Sequence, residues 1–532
     1  MLSVLPPSNV KNAKSQARET RRPNFLIIIS DDQRHDTMEF MPRTKGRLID
    51  QGVLFTHGYV TTPLCCPSRA SILTGMYAHN HGVRVNEDPL RFKTFVDHLH
   101  ENGYYTGLVG KYLNSWDGSP RPEFDFWASH AGGSVSYTDP RLNINGTWRK
   151  QSGYVTHIFR DQALEFLSHS AQQTKPFALV FAPNAPHQPA TPAPGDETLY
   201  PDLPPNRPPN FNEEDVADKP LWLQTLFSPL TPVRIETIEA LRGNQIRSLN
   251  ALDQAVDTLL TLLNQQGRLN TTMVIYISDN GYFWGEHRLT EKLRVYESAS
   301  RVPFMLYHPP LVRGPVVEER LVANIDLAPT IYELAGLPIP PEVDGRSLVP
   351  LLQGKNVWRN ELLIEGWSQN LPIPPYFAIH TGQFVYVENK GDRAELYDLT
   401  SDPYELENQI NNSSYGTIID TLKKHLQLIS LVKDTLPASP KGFSLYQNYP
   451  NPVRLSDHAP ATIIRFSLPQ RSHVRLRLYD TLGRQVATLL EKELPAGEHG
   501  VVVNKVEFAS GVYFYRIEAG SLKQERRILV IK

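Results

Sequence analysis

Asn24-Phe25-Leu26-Ile27-Ile28-Ile29-Ser30-Asp31-Asp32 decides the fold, because an unbroken apolar run closes on two carboxylates. No polar residue alternates into the run, the pattern of a strand covered on both faces in a parallel sheet. Asp31 and Asp32 stand at its C-terminal end, where open α/β sheets bind their ligands. The construction returns at Thr272-Met273-Val274-Ile275-Tyr276-Ile277, which runs into Ser278, Asp279, Asn280 and Gly281. Strand-like runs at 105–109 and 177–181 and a helical pattern at 246–263 lie between or beside them. This alternation predicts a doubly wound α/β domain with a parallel or mixed sheet.

Working outward, the stretch 183–232 is dense in proline, with Asp and Glu, and reads as a long surface excursion near the strand ends. A smaller α+β unit is expected after Asp344-Gly345-Arg346-Ser347-Leu348, with short antiparallel strands at 376–380, 384–389 and 394–398 and a helix over about 415–432. Past a polar, proline-containing linker the chain turns to an alternating, glycine-punctuated β pattern, expected to form a separate β-sandwich. The expected division is a disordered lead-in (1–22), an α/β domain (23–345), its C-terminal subdomain (346–434), a linker (435–442) and the sandwich (443–532).

The length of 532 residues suits two to four structural units. A net charge of −2 gives no global basic field, so a nucleic-acid partner is not indicated and any anion must be held by a local cluster. The only two cysteines, Cys65 and Cys66, are neighbours, which excludes a disulfide framework or a thiolate zinc site. No run approaches the roughly 18 apolar residues of a transmembrane helix. Residues 1–22 lack an apolar core of signal-peptide length, so any export segment is expected upstream.

Cys65-Cys66-Pro67-Ser68-Arg69-Ala70-Ser71-Ile72-Leu73-Thr74-Gly75 fits Cys-x-Pro-Ser-Arg-x-x-x-Leu-Thr-Gly. By this run the chain resembles the type I sulfatases, with Leu327-Ala328-Pro329-Thr330 and the 344–348 run as further landmarks. The alternative for Cys65 and Cys66 is a pair of small buried apolar residues or a redox pair. The resemblance implies an alkaline-phosphatase-like fold and conversion of Cys65 to formylglycine by a maturation enzyme. The hydrated aldehyde then supplies the nucleophile, and a covalent sulfo-enzyme intermediate breaks down by collapse back to the aldehyde.

The same resemblance assigns Asp31, Asp32, Asp279, Asn280 and residue 65 to a calcium ion, a hard cation suited by oxygen donors. It gives Arg69 to the metal-bound hydrate and Lys111 and Lys292 to the sulfate. It gives His187 to the substrate's bridging oxygen, with protonation of the leaving alcohol as its role. Many members place a histidine two residues after the lysine matching Lys111, where this chain has Leu113; His287 is the first candidate to take over, while His79 and His81 read as packing groups. Tyr282, Phe283 and Trp284 read equally as a sugar-stacking wall or a structural aromatic cluster.

The implied reaction is hydrolysis of a sulfate ester to inorganic sulfate and an alcohol. The doubled cysteine, Gly110-Lys111-Tyr112-Leu113-Asn114 and Ala185-Pro186-His187 look most like N-acetylglucosamine-6-sulfatases and extracellular heparan sulfatases, which favours a sulfated carbohydrate. Competing expectations are a formylglycine-dependent phosphonate monoester or phosphodiester hydrolase, and a surface glycan-binding protein whose Cys65 is never matured. Residues 446–452, 474–483 and 509–516 resemble the C-terminal sorting domain of type IX secretion substrates, implying secretion or surface attachment through that machinery. A sugar-binding or structural β-domain is the alternative there.

Overall fold

The computed structural model describes residues 22–312, 314–355, 357–368 and 373–434, and, towards the C-terminus, 443–446, 448, 453–454, 462–494, 497–503, 510–520 and 522–531. The expected lead-in, apart from Arg22, and the linker at 435–442 lie outside the described residues, as do Gln447, Tyr449 to Pro452 and Ala509 of the sorting-domain motifs.

Ten strands form one mixed sheet: β1 (Asn24–Ser30), β2 (Val53–Phe55), β3 (Tyr105–Gly110), β4 (Phe126–Ser129), β5 (Arg141–Ile144), β6 (Thr147–Lys150), β7 (Phe177–Ala182), β8 (Thr272–Ser278), β9 (Phe304–Tyr307) and β10 (Val316–Glu318). Their spatial order is β10-β2-β9-β8-β1-β7-β3-β4-β5-β6. From β8 to β4 the strands are parallel, β9 is antiparallel to both its neighbours, and β5 and β6 extend the sheet antiparallel.

The apolar run of β1 serves two cores at once. Phe25, Ile27 and Ile29 face helices α1 (Cys65–Thr74) and α4 (Leu327–Ala335), while Leu26 and Ile28 face α2 (Val155–Ala171) and α3 (Pro232–Gln265). Burying each of these side chains is worth about 1.5–3 kcal/mol, so the strand most saturated in aliphatics sits at the centre. α3 begins about four turns earlier than its apolar pattern announces. Thr231 caps it by accepting from the Arg234 N–H at 3.3 Å, and Pro232 opens the first turn, where no donor is needed. The added turns are largely exposed on the outside, Val233 among them, which blurs the helical period.

After α4, strands Leu362–Gly366, Tyr376–His380, Phe384–Asn389 and Glu395–Asp398 form a four-stranded antiparallel sheet in sequence order, followed by helix Gly416–Asp434. The C-terminal strand-rich unit packs sheets of three and five strands around Leu445, Phe466, Leu476, Tyr515 and Ile528. Within it the Tyr515 hydroxyl accepts from the Asn448 N–H at 2.7 Å and donates to the Tyr446 carbonyl at 2.8 Å. No described helix is long and apolar enough to cross a membrane.

Candidate active site

The carboxyl ends of β8, β1, β7, β3 and β4 lie side by side, and the site is built on them. They deliver, in spatial order, Asp279 and Asn280, Asp31 and Asp32, Asn184 and His187, Lys111, and His130. Facing this edge is α1, which begins at Cys65 and carries Arg69 one turn on. Pro67 falls in the first turn, and Gly75 stops the helix with φ +74°, where a Cβ would meet Val343 at 2.9 Å.

Cys65 Sγ lies 3.9 Å from both Asp31 Oδ1 and Asp32 Oδ1 and is buried. Donor atoms of Asp31, Asp32, Cys65 and His187 fall within 4.8 Å of one another, and His187 Nε2 is 3.7 Å from Asp32 Oδ2. Asn280 joins through Nδ2, which donates to Asp32 Oδ1 at 2.7 Å. Asp279 stands one step back: its Oδ1 accepts from the Asp32 N–H at 3.0 Å and its Oδ2 from Arg69 Nε at 2.8 Å.

Three cations answer the three carboxylates. Lys111 Nζ donates to both oxygens of Asp31, at 3.1 and 2.8 Å, Lys292 Nζ donates to Asp32 Oδ1, and Arg69 Nη2 approaches Asp31 Oδ2 at 3.6 Å. Burial by itself pushes the Asp31 carboxyl up, yet Lys111, His187 and Arg69 together hold it down at about 2. Asp32 is likewise held below the usual carboxylate range, against burial, chiefly by Lys292. Both lysines are held charged above their usual range by these carboxylates despite burial. The Cys65 thiol, by contrast, is pushed up to about 12 by burial, so as a plain cysteine it is a poor nucleophile.

The donor set fits a hard divalent cation. Asp32 Oδ2 and Asn280 Oδ1 are buried oxygens with no hydrogen-bond partner among the described residues, beside the oxygens of Asp31. Charge agrees: three carboxylates offset Arg69, Lys111 and Lys292, so a divalent cation, a monoanionic ester and one deprotonated hydroxyl leave the site neutral.

His287 is placed elsewhere. Its Nδ1 is 2.6 Å from Glu213 Oε2, its Nε2 is 3.2 Å from Asn210 Nδ2, and its ring packs on Tyr296 at 4.5 Å. Both ring nitrogens are therefore engaged away from the acidic cluster. Leu113 is buried in the apolar core. Tyr282, Phe283 and Trp284 are buried as well; the guanidinium groups of Arg34 and Arg242 approach the Trp284 ring at 4.4 and 5.3 Å, and its N–H donates to Gln245 Oε1 at 2.6 Å. Of the two readings of this trio, the structural cluster holds. His81 braces α1 through Ser71 Oγ at 3.0 Å, and His79 meets Glu365 at 2.7 Å.

Sequence reasoning passed over three polar groups at the same edge. Asn184, two residues past β7, has neither amide atom partnered among the described residues although it is buried. His130 directly follows β4; its Nδ1 is 3.2 Å from the Ala131 carbonyl, its Nε2 has no hydrogen-bond partner among the described residues, and burial lowers its pKa to about 4. Tyr137 donates from its hydroxyl to the His187 carbonyl at 2.7 Å, which steadies the loop carrying that histidine. The signal for Asn184 was its place beside the Ala185-Pro186-His187 run; β4 is too short and mixed to announce His130.

A family model described as Sulfatase matches residues 23–337, one described as N-sulphoglucosamine sulphohydrolase, C-terminal, matches 285–431, and one described as Secretion system C-terminal sorting domain matches 447–532. An extracellular sulfatase SULF-1 homolog of Drosophila melanogaster is 35% identical over 66% of this chain and 33% of its own length. The chain thus spans about a third of that relative. An N-acetylglucosamine-6-sulfatase of Homo sapiens is 30% identical over 74% of this chain and 82% of its own. A solved structure of a protein in complex with its substrate D-glucosamine-2-N,6-O-disulfate shares the fold, with TM-score 0.70, 23% identity, and coverage of 78% of this chain and 99% of that one.

Proposed function

The chain belongs to the sulfatase family, and from that premise we propose that it hydrolyses a sulfate ester of a carbohydrate, releasing inorganic sulfate and an alcohol. The observation that carries the reading is Cys65 Sγ at 3.9 Å from both Asp31 and Asp32, inside a buried ring closed by Arg69, Lys111 and Lys292. Here the sulfur stands in for an oxygen of the hydrated formylglycine. Oxidised by a maturation enzyme and held against calcium, residue 65 would supply the attacking hydroxyl, and the cation would neutralise sulfuryl charge.

The remaining steps fall to this chain's own groups. Asp31, Asp32, Asp279 and Asn280 are the oxygen donors that would hold the ion, and Asp279 also anchors Asp32 and Arg69 in place. Lys111 and Lys292, kept charged, hold the anionic ester by charge-assisted hydrogen bonds. His187 is the acid for the departing alcohol. Its Nδ1 sits 2.7 Å from the Gln188 carbonyl and donates to it, leaving Nε2 towards the cluster.

The substrate class proposed is an amino sugar sulfated at the 6-position. The names of similar proteins support it, because N-acetylglucosamine-6-sulfatases recur among the relatives. The catalytic domain is taken as 23–345 with its subdomain at 346–434. The C-terminal sorting domain supports export or surface display, where a polymeric glycan is reachable.

The test is sulfate release from 6-O-sulfated N-acetylglucosamine by protein matured with a formylglycine-generating enzyme, with Cys65→Ala as the blank. Release lost in the blank is the expected result. No release from any sulfate ester, with the aldehyde at position 65 verified by mass spectrometry, overturns the reading in favour of phosphorus esters.

A further inference from the structure

The aromatic trio at 282–284 is buried, yet another aromatic residue stands open at the edge of the main sheet. Trp148 on the edge strand β6 is 37% exposed, and the guanidinium of Arg141 on β5 covers its ring at 5.1 Å. Arg141 pairs directly with Lys150 across the two strands, and both are exposed. Cross-strand partners share a face, so Arg141, Trp148 and Lys150 form one patch on one side of the ribbon. The acidic group at this patch is Asp139, 4.0 Å from Lys150.

Lysine and arginine on an edge strand have an ordinary purpose, which is to prevent pairing with another chain. A half-open tryptophan works against that purpose, since it adds apolar surface to the same edge. Its companions and its address point elsewhere. β3 and β4 run in parallel register, Val109 beside Ala128, and Ser129 of β4 pairs with Asn143 of β5. Arg141 and Lys150 therefore lie at the same sheet edge as Lys111, two and three strands away, about 10 and 14 Å at the usual strand spacing. The loops that follow β3 and β4 meet between the two places. The Gly132 N–H donates to the Trp116 carbonyl at 2.9 Å, and Trp148 packs so close to Gly118 that an added Cβ there would meet it at 2.7 Å.

We infer that Arg141, Trp148 and Lys150 form a second binding site for the same glycan, taking sugar units beyond the one whose sulfate is cleaved. The indole face that Arg141 leaves uncovered takes the apolar face of a pyranose, and the two cations take sulfate or carboxylate groups on neighbouring units. The substrate is then an oligosaccharide carrying several negative charges. This rests on the proposed sulfatase reading only for the identity of the anion.

The experiment is binding of a heparin-derived hexasaccharide to full-length Cys65→Ala protein by calorimetry, which needs no turnover. Arg141→Ala with Lys150→Ala, and Trp148→Ala separately, should each weaken binding about tenfold, the size of one or two such contacts. Lys175→Ala, exposed at the opposite sheet edge, should leave it unchanged. Lys150→Glu, which alters only an exposed head group, should weaken it further and flatten its salt dependence. Unchanged affinity in Trp148→Ala and Lys150→Glu, or equal loss in Lys175→Ala, overturns the site. Failure of sulfate release alone leaves these binding results standing and counts against the chemistry instead.

Discussion

Lys111 donates to both oxygens of Asp31, at 3.1 and 2.8 Å, with both side chains sealed from solvent. Each of these two buried charges has the other as its main partner, and removing one leaves the other poorly compensated. Lys111→Met, close in shape but neutral, should lower unfolding stability by about 3–5 kcal/mol, read from urea unfolding. Sulfate release should fall at least about a hundredfold, the scale of losing one preorganised charge contact. A variant as stable as the parent would show that Asp31 finds another partner.

Calcium should stabilise the matured protein, because buried oxygens of Asp32 and Asn280 await a partner among the described residues. Binding to the folded state alone raises stability by about 2.7 kcal/mol at a hundredfold excess over the dissociation constant. The melting temperature should therefore rise with calcium, fall with chelator, and respond much less in Asn280→Ala. An equal response in that variant would place the ion elsewhere.

How far the sequence announced this centre depends on which physical signal each residue carries. Asp31, Asp32, Asp279 and Asn280 were legible because each pair ends a run such as Phe25 to Ile29, and a strand buried on both faces has no polar alternation to blur it. The helix at 232–265 was half legible, since its first turns face water and lose the apolar period. His130 was illegible because its position depends on the register of β4 against β3, a long-range pairing with no local signature. His287 shows the converse. Its neighbourhood in sequence, three residues past Trp284 and five before Lys292, suggested the site, but Glu213 from the proline-rich excursion claims its ring.

Desolvated histidine rings should make the fold acid-sensitive below about pH 6.5. Burial holds His130 near 4 and His81 near 3, and desolvation of the half-buried His35 holds it near 4, all below the ordinary 6.5, so the folded state keeps them neutral. A depressed folded value means the unfolded chain takes up protons first. The stabilisation is complete above about pH 6.5 and is lost as pH falls towards 4 and 3. Urea midpoints measured from pH 7.5 to 4 should decline across that window; a flat profile would show that these rings are protonated in the fold.

His187 and His287 should separate by the substrate they are tested on. Protonating the leaving group matters most for a poor leaving group such as a sugar alcohol and little for a nitrophenol, whose anion departs unaided. His187, with Nε2 3.7 Å from Asp32, is positioned for that proton, whereas His287 is locked between Glu213 and Asn210. His187→Ala should cut kcat on 6-O-sulfated N-acetylglucosamine by about 10²–10⁴, the usual worth of general acid catalysis, and much less on nitrophenyl sulfate. His287→Asn should change both substrates by the same factor and lower the urea midpoint, because the loss there is of packing against Tyr296 and of a buried partner for Glu213. If instead the two substrates diverge for His287→Asn and not for His187→Ala, the proton comes from the other histidine, and the loop bearing Glu213 must open during turnover.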